Sequence, residues 1–346
     1  ADKEAVRKVA DVDAPWVTAL AVRKDGSIVA ASTPGGRLFL VDPGKGTSRE
    51  LAKLPAEHVW SLVHDAKTGT TYAGTGVPGK VFAVDAAGKF RLHWDSGDKH
   101  VVSLFDAGGG TLLAGTSEEA LLHRIGADGK SQVLHDFEAD EVRAIVRAAG
   151  ATFLAVNDFD RTTSEAAKPA TPQEAAAPKG TRVVTGGASP PSAGVLPRPG
   201  QVKAKGAVYR LEDDGRIEQV FAIPDGYFTT LLASASQDVF AAAGVDGKVY
   251  RIAPDRTTVV AVDVTERQAL ALVRSDTGLL VATGDAGAIF RASPASGNDA
   301  TYLSKVLDAD QPARWGQLRV TGSSDLRIGT RSGITAKPGP SWTGWQ

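Results

Sequence analysis

The chain of 346 residues contains neither cysteine nor methionine. Without cysteine it forms no disulfide, no thiolate zinc site and no thiol nucleophile. The lack of both oxidisable side chains suits an oxidising compartment, and the numbering starts at Ala1 rather than at methionine. We therefore expect a periplasmic or secreted protein whose signal peptide was cut before a small residue, with aminopeptidase trimming as the alternative.

An excess of charge of either sign is also missing. The 39 basic and 40 acidic residues give a net charge of -1, which argues against a nucleic-acid partner or a membrane-surface patch. No apolar run approaches the roughly 18 residues that a membrane-spanning helix requires. We therefore expect no nucleic-acid binding and no membrane insertion.

Apolar segments recur along the chain at a nearly constant period, and each carries Leu or Ile at the equivalent position. These positions are Leu20, Leu62, Leu104, Ile145, Leu231, Leu272 and Leu318. The spacings are 42, 42, 41, 86, 41 and 46 residues, and the interval of 86 contains one period plus an insertion. Repeats of about 40–45 residues are typical of β-propeller blades.

Each repeat contains four short strand patterns, of which the third is the clearest. It begins with glycine and ends in a β-branched or aliphatic residue followed by an aromatic one, which suits a pleated surface packed between blades. The examples are Gly36–Phe39, Gly79–Phe82, Gly206–Tyr209, Gly247–Tyr250 and Gly287–Phe290. Asp-Gly pairs at Asp25-Gly26, Asp128-Gly129 and Asp214-Gly215 predict hairpin turns.

The pattern predicts an all-β, seven-bladed β-propeller with four antiparallel strands per blade, in a single domain. The seventh repeat lacks an outer strand, and Ala5–Ala10 resembles an outer strand without a blade. Adding this N-terminal strand to the last blade would close the ring and remove exposed strand edges. The expected bounds are about 5–12 for the closing strand and 16–54, 58–95, 100–137, 141–222, 227–262, 267–307 and 313–346 for blades one to seven.

These repeats resemble the superfamily of NHL-like, YVTN-like and two-component-regulator-type propellers, which includes many secreted and periplasmic bacterial proteins. The resemblance covers essentially all residues outside the insertion and implies the propeller architecture. It also implies that the face bearing the starts of the opening strands is the ligand side.

A polar segment rich in proline and alanine, residues 161–205, interrupts blade four. It has no aromatic residue, and its basic residues outnumber its acidic ones. Such a composition predicts disorder, because too little apolar surface is available to offset the ordering entropy. The segment is either a tolerated surface insertion or a functional loop that overhangs the ligand face.

One position at the mouth of the predicted funnel, at or just before the start of each opening strand, collects polar and aromatic residues. Around the ring it reads Trp16, His58, His100, Glu141, Tyr227, Gln268 and Arg314. We expect these seven residues to contact a ligand or partner, with aromatic side chains supplying stacking area. The alternatives are a solvated polar rim and, for the aromatic residues, packing between blades.

His58, His100 and Glu141 occupy this position in three consecutive repeats. Two imidazoles and a carboxylate on adjacent blades are suited to a facial metal site or an acid–base pair, with Arg314 as an oxyanion stabiliser. Near the insertion, Asn157, Asp158 and Asp160 lack the glycine and distal glutamate of an EF-hand loop, so we expect hydration there rather than calcium.

The sequence contains no recognisable phosphate-binding or catalytic motif. The run from Gly74 to Lys80 imitates a phosphate-binding loop, but Val81 replaces the required Ser or Thr and a strand follows where a helix is needed. No GxSxG or HExxH motif is present. The sequence is therefore interpreted as a non-enzymatic extracytoplasmic binding or scaffold module without a cofactor, presenting its funnel face and loop to a protein or glycan, as a monomer or within a larger assembly.

The alternative function is a lyase- or hydrolase-type enzyme. It would resemble streptogramin-lyase-like propellers and would use His58, His100 and Glu141 at the funnel mouth.

Overall fold

The computed structural model describes residues 8–159, 204–276, 278–284, 287–292, 306–307, 311, 327–335 and 338–346. Within these residues the regular structure is entirely β-strand. No helix in this part of the chain is long and apolar enough to span a membrane. The prediction of an all-β fold built from repeated antiparallel strands is confirmed.

The strands form six successive antiparallel sets, called blades 1 to 6 here. Blade 1 contains β1 (Trp16–Val22), β2 (Ile28–Thr33), β3 (Arg37–Asp42) and β4 (Thr47–Lys53). Blade 2 contains β5 (His58–Asp65), β6 (Thr70–Gly76), β7 (Lys80–Val84) and β8 (Phe90–Asp95). Blade 3 contains β9 (His100–Gly108), β10 (Thr111–Ser117), β11 (Leu121–Ile125) and β12 (Ser131–Asp136).

The second half of the series continues this order. Blade 4 contains β13 (Glu141–Ala148), β14 (Ala151–Phe159), β15 (Ala204–Leu211) and β16 (Ile217–Ile223). Blade 5 contains β17 (Phe228–Ala233), β18 (Val239–Ala243), β19 (Lys248–Ile252) and β20 (Thr258–Asp263). Blade 6 has three described strands, β21 (Ala269–Ser275), β22 (Gly278–Thr283) and β23 (Ile289–Ala292).

The predicted Asp-Gly turns are present, and aspartate side chains stabilise them. Asp25 Oδ1 accepts a hydrogen bond from the backbone N–H of Ser27 at 2.9 Å. Gly26 between them has a φ of 81°, a conformation that glycine adopts without a Cβ penalty. The same Asx arrangement recurs at Asp128, which accepts from the backbone N–H of Lys130 at 3.1 Å.

Apolar cores lie between consecutive blades rather than in one central cluster. Leu62 of β5 packs on a core shared with blade 1, and Leu104 of β9 packs on a core shared with blade 2. Ile145, Leu231 and Leu272 are in the equivalent cores of the next three joints. The periodic Leu or Ile of each repeat thus packs against the preceding blade.

Hydroxyl side chains on the opening strands link neighbouring blades by donating hydrogen bonds to backbone carbonyls. The pairs are Thr18 with Val59, Ser61 with Val101 at 3.5 Å, Ser103 with Val142 at 2.6 Å and Thr229 with Ala269 at 2.5 Å. Because these bonds join strands about 40 residues apart in sequence, they align the opening strands of successive blades at a common level.

The N-terminal segment contacts blade 1 without forming a strand in its described part. Ala10, Val12 and Ala14 pack against the core formed by Phe39 and its neighbours, while the residues between them are exposed. Residues 8–12 were expected within a closing strand but carry no strand pairing. Residues 5–7 of that strand, and residues 312–326 of the expected seventh blade, lie outside the described residues.

The predicted insertion ends earlier than its sequence-based bound. Lys205 was assigned to the insertion but belongs to β15, where it pairs with Asp158 of β14. The ladder continues to Phe159 and Ala204. Residues 161–203, on which the prediction of disorder rests, lie outside the described residues.

The chain divides into two compact units, residues 1–293 and 294–346. In the second unit, the described residues carry no strand. Thr330 and Gln346 nevertheless exchange two backbone hydrogen bonds of 3.0 Å. The Arg331 guanidinium lies over the rings of Trp342 and Trp345, at 5.8 and 4.6 Å from their centroids.

Candidate functional site

The candidate site is the set of side chains at the starts of the opening strands, called the rim here. Trp16, His58, His100 and Glu141 are the first residues of β1, β5, β9 and β13, while Tyr227 and Gln268 directly precede β17 and β21. These six predicted site residues therefore lie at the same end of consecutive opening strands. Arg314, the seventh, lies outside the described residues.

Three rings from blades 2 and 3 form the most compact part of the rim. The centroid of the Trp60 ring lies 4.8 Å from that of His58 and 5.8 Å from that of His100, and the two histidines are 6.1 Å apart. Trp60 Nε1 donates a hydrogen bond to His100 Nδ1 at 3.0 Å. His58 Nδ1 shares a hydrogen bond with the Thr33 hydroxyl of blade 1. Each imidazole therefore uses one nitrogen to join its own blade to the preceding one.

Gly76 makes room for this cluster. It ends β6 and pairs with both His58 and His100. A Cβ at this position would overlap His100 Nδ1 and Trp60 Nε1, which are the two atoms of the hydrogen bond. Only glycine fits beneath that bond, so Gly76 is part of the rim even though it has no side chain.

Burial is the main cause that lowers the pKa of His100. The charge of Lys99 and the neighbouring His58 act in the same direction, while Glu118 and Glu57 oppose them. A neutral His100 matches its role as acceptor from Trp60, because an imidazolium would have a proton on Nδ1. The cluster is therefore built around the uncharged form of His100.

Glu141 belongs to a separate network centred on Asn157. Asn157 Nδ2 donates to Glu141 Oε1 at 2.8 Å and to the backbone carbonyl of Phe228 at 2.8 Å. Its Oδ1 accepts from the backbone N–H of Phe228 at 2.8 Å. The expectation of a hydrated Asn157 was wrong, since the residue is 0% exposed and joins blade 4 to blade 5.

Tyr227 and Gln268 form the joint between blades 5 and 6. Gln268 Nε2 donates to the Tyr227 hydroxyl oxygen at 3.0 Å. The Tyr227 ring lies where a Cβ on Gly244 would be, and Gln268 lies within 2.6 Å of the place where a Cβ on Gly284 would be. Glycine at or just after the end of the second strand thus recurs beneath rim side chains, as Gly76, Gly244 and Gly284, and this recurrence is a signal that the sequence itself carries.

Trp16 differs from the other described rim residues because its side chain is largely free. It is 64% exposed, and it pairs with Thr33 through the backbone of β2. Among the described rim residues, Trp16 is therefore an open indole beside polar groups that already form hydrogen bonds within or between blades.

The structure brings His58 and His100 together but holds Glu141 in a different network. Among the described residues, no group of three or more His, Asp or Glu side chains is arranged to hold a metal ion. Chemically, the rim offers an exposed aromatic face, half-buried hydroxyl and amide groups and a neutral imidazole, which suit stacking and hydrogen bonding.

A cavity of about 310 Å³ lies between blades 3 and 4, near the base of the insertion. Phe137 and Tyr209, whose ring centroids are 4.9 Å apart, are among its lining residues. The charged groups there are Glu138, Asp158 and Lys205. Sequence reasoning missed this cavity because its walls come from two different repeats.

No family model and no curated protein sequence matches the chain. Among solved structures it is similar to the hydrazine synthase of Kuenenia stuttgartiensis, with a TM-score of 0.57 and 14% identity over 80% of this chain and 83% of that one. A nidogen/laminin complex matches with a TM-score of 0.49 and 13% identity, over 74% of this chain and 85% of the other. The computationally designed Ika8 protein matches with a TM-score of 0.49 and 15% identity, over 79% and 69%. At such identities the similarity concerns the fold alone, which is β-propeller-like.

Proposed function

We propose that the chain is a closed seven-bladed propeller whose rim binds a protein or glycan without catalysis, in the periplasm or outside the cell. The observation that carries the binding role is the arrangement of the rim. His58, His100 and Gln268 hydrogen-bond to side chains of the preceding blade, while Trp16 offers an open aromatic surface. Preorganised polar groups beside an exposed aromatic ring are suited to recognition.

Ring closure is supported first by Leu20. Its counterparts Leu62, Leu104, Ile145, Leu231 and Leu272 pack on the preceding blade, whereas Leu20 is 61% exposed. On the last described blade, Leu270, Val273 and Ile289 are exposed as well. Two open apolar faces at the two ends of the series are what a missing blade would cover.

The N-terminal segment supplies the second support. Ala10 and Val12 lie 42 residues before Ala52 and Leu54, which pack against blade 2 from the outer strand of blade 1. Ala10 and Val12 pack against blade 1 in the corresponding way. We infer that residues 5–12 occupy the outer-strand position of a seventh blade formed by residues 313–346.

Closure is tested with Leu20→Asp, using Leu62→Asp as the matched control. A charge buried between blades without a partner is costly, so we expect Leu62→Asp to lower the free energy of unfolding by about 3 kcal/mol or more. In a closed ring Leu20→Asp has a similar effect. If Leu20→Asp changes the free energy of unfolding by less than about 0.5 kcal/mol, as at an exposed site, the ring is open.

The binding role is tested with a glycan array and with immobilised extracytoplasmic proteins. Trp16→Ala should abolish a specific interaction that Trp345→Ala retains, because Trp345 is a comparably exposed indole (57%) in the other unit. Equal binding by both variants and the wild type contradicts a rim site.

Elemental analysis gives the enzymatic alternative its own test. About one metal ion per chain, lost when His58, His100 and Glu141 are all replaced by Ala, would overturn the non-enzymatic proposal.

A further inference from the structure

Arg23 is a buried arginine whose guanidinium lacks a visible role in the fold. It directly follows β1 and is 9% exposed. Its Nε and Nη2 atoms are buried, and neither has a hydrogen-bond partner among the described residues. A buried charged group normally requires a partner, because its desolvation is costly.

The side chain of Arg23 faces blade 2. Ala19 packs in the core between blades 1 and 2, and Ala21 and Arg23 follow at the two-residue spacing that places them on the same face. The backbone N–H of Arg23 bonds to the Ser27 carbonyl at 2.8 Å, so the hairpin geometry extends to this residue. On the opposing strand β5, Leu62 packs in the same core, and His64 shares its face.

The two unpartnered nitrogens are the pair that forms a side-on fork. Nε and Nη2 point in parallel and match two oxygens of one carboxylate, phosphate or sulfate. The nearby carboxylates are engaged elsewhere. Asp25 accepts from the backbone N–H and the hydroxyl of Ser27, and Asp65 accepts from the hydroxyl of Thr68.

We propose that Arg23 and His64 form a binding site for a small oxyanion, between blades 1 and 2 at the end of the opening strands opposite the rim. Arg23 contributes the two-donor fork. His64 Nδ1 lies 3.1 Å from the Thr71 hydroxyl, and when that hydroxyl donates, the imidazole keeps its proton on Nε2 as a third donor. β1 spans seven residues, so the oxyanion site is about 20 Å from the rim. The oxyanion site therefore does not depend on the function proposed for the rim.

The electrostatics of His64 are consistent with this site. Burial, and next the charge of Arg23, lower the pKa of His64, while Asp65 and Asp25 act in the opposite direction. A bound anion compensates the Arg23 charge and favours the imidazolium. Anion binding and protonation of His64 are therefore linked, so each strengthens the other.

The experiment is a titration of the whole chain with inorganic phosphate and, separately, with acetate. Sodium chloride at matched ionic strength is the reference. Histidine resonances are recorded by NMR, with His64 assigned through His64→Gln. We expect one of the two oxyanions to raise the pKa of His64 in a saturable way and to raise the melting temperature. An effect of phosphate alone indicates a ligand with a phosphoryl group, and an effect of acetate alone indicates a ligand with a carboxylate.

Arg23→Met should weaken this binding at least about tenfold, since it removes two charged hydrogen bonds. Lys24→Met removes a neighbouring exposed charge and should leave the affinity unchanged. If Arg23→Met does not fold, Arg23→Lys retains the charge without the fork and should bind several-fold more weakly. The proposal is wrong if neither oxyanion differs from chloride in the wild type, or if Arg23→Met binds as tightly as Lys24→Met.

Discussion

Replacing Asn157 by Ala removes the amide that joins blades 4 and 5. The backbone N–H and carbonyl of Phe228 lose their partner, and Phe228 is fully buried. Each unsatisfied buried group costs about 1–3 kcal/mol, so we expect Asn157→Ala to lower the free energy of unfolding by about 2–6 kcal/mol. That is a large part of the roughly 5–15 kcal/mol that stabilises a typical protein.

Urea denaturation at pH 7 measures this loss through the shift of the midpoint at constant slope. Glu141→Gln is the matched control, because its amide oxygen still accepts from Asn157 Nδ2. We expect its free energy of unfolding to change by less than about 1 kcal/mol. A loss below about 1 kcal/mol for Asn157→Ala would refute the reasoning, since it would mean that Phe228 finds other partners.

Two further predictions concern the rim and the joint between blades 2 and 3. Gly76→Ala should break the hydrogen bond between Trp60 and His100, and NMR should then show a higher pKa for His100. Gly344→Ala is the control, because Gly344 has open space around it, and it should leave the pKa of His100 unchanged. Burial lowers the pKa of His123 below its ordinary value of 6.5. As the pH falls, the unfolded state therefore binds the proton before the folded state does, and the free energy of unfolding should decrease below about pH 6.5. His123→Phe keeps an aromatic ring against Trp94 and should reduce this acid sensitivity, measured as the fall of the urea midpoint from pH 7 to pH 5. If the midpoint of the variant falls with pH as steeply as that of the wild type, the acid sensitivity comes from other groups.

Much of the fold could be predicted from the sequence because its signals are local and repeated. The Asp-Gly turns depend on contacts two residues apart. The Leu and Ile period depends on one packing role repeated at every joint. The position of the six described rim residues followed from the same period, since each of them stands at or just before an opening strand.

What the sequence did not predict depends on partners that are distant along the chain. Asn157 and Phe228 are separated by 71 residues, most of them in the interval of the insertion, so the amide looked like a hydrated loop residue. Arg23 lies next to an Asp-Gly turn, and the residues around it have the composition of an exposed hairpin end. Its charge acts on His64 of the following repeat, a proximity that no local pattern reports.

The rim contacts follow a rule that bears on how binding data are interpreted. At three of the described joints a rim side chain hydrogen-bonds to the preceding blade: His58 to Thr33, His100 to Trp60 and Gln268 to Tyr227. If the ring is closed, Trp16 stands at the joint between blade 7 and blade 1 and has both a structural and a binding role. Trp16→Ala then lowers the free energy of unfolding as well as the affinity, whereas in an open ring it lowers the affinity alone. Measuring both quantities on this one variant therefore separates the architecture from the recognition surface.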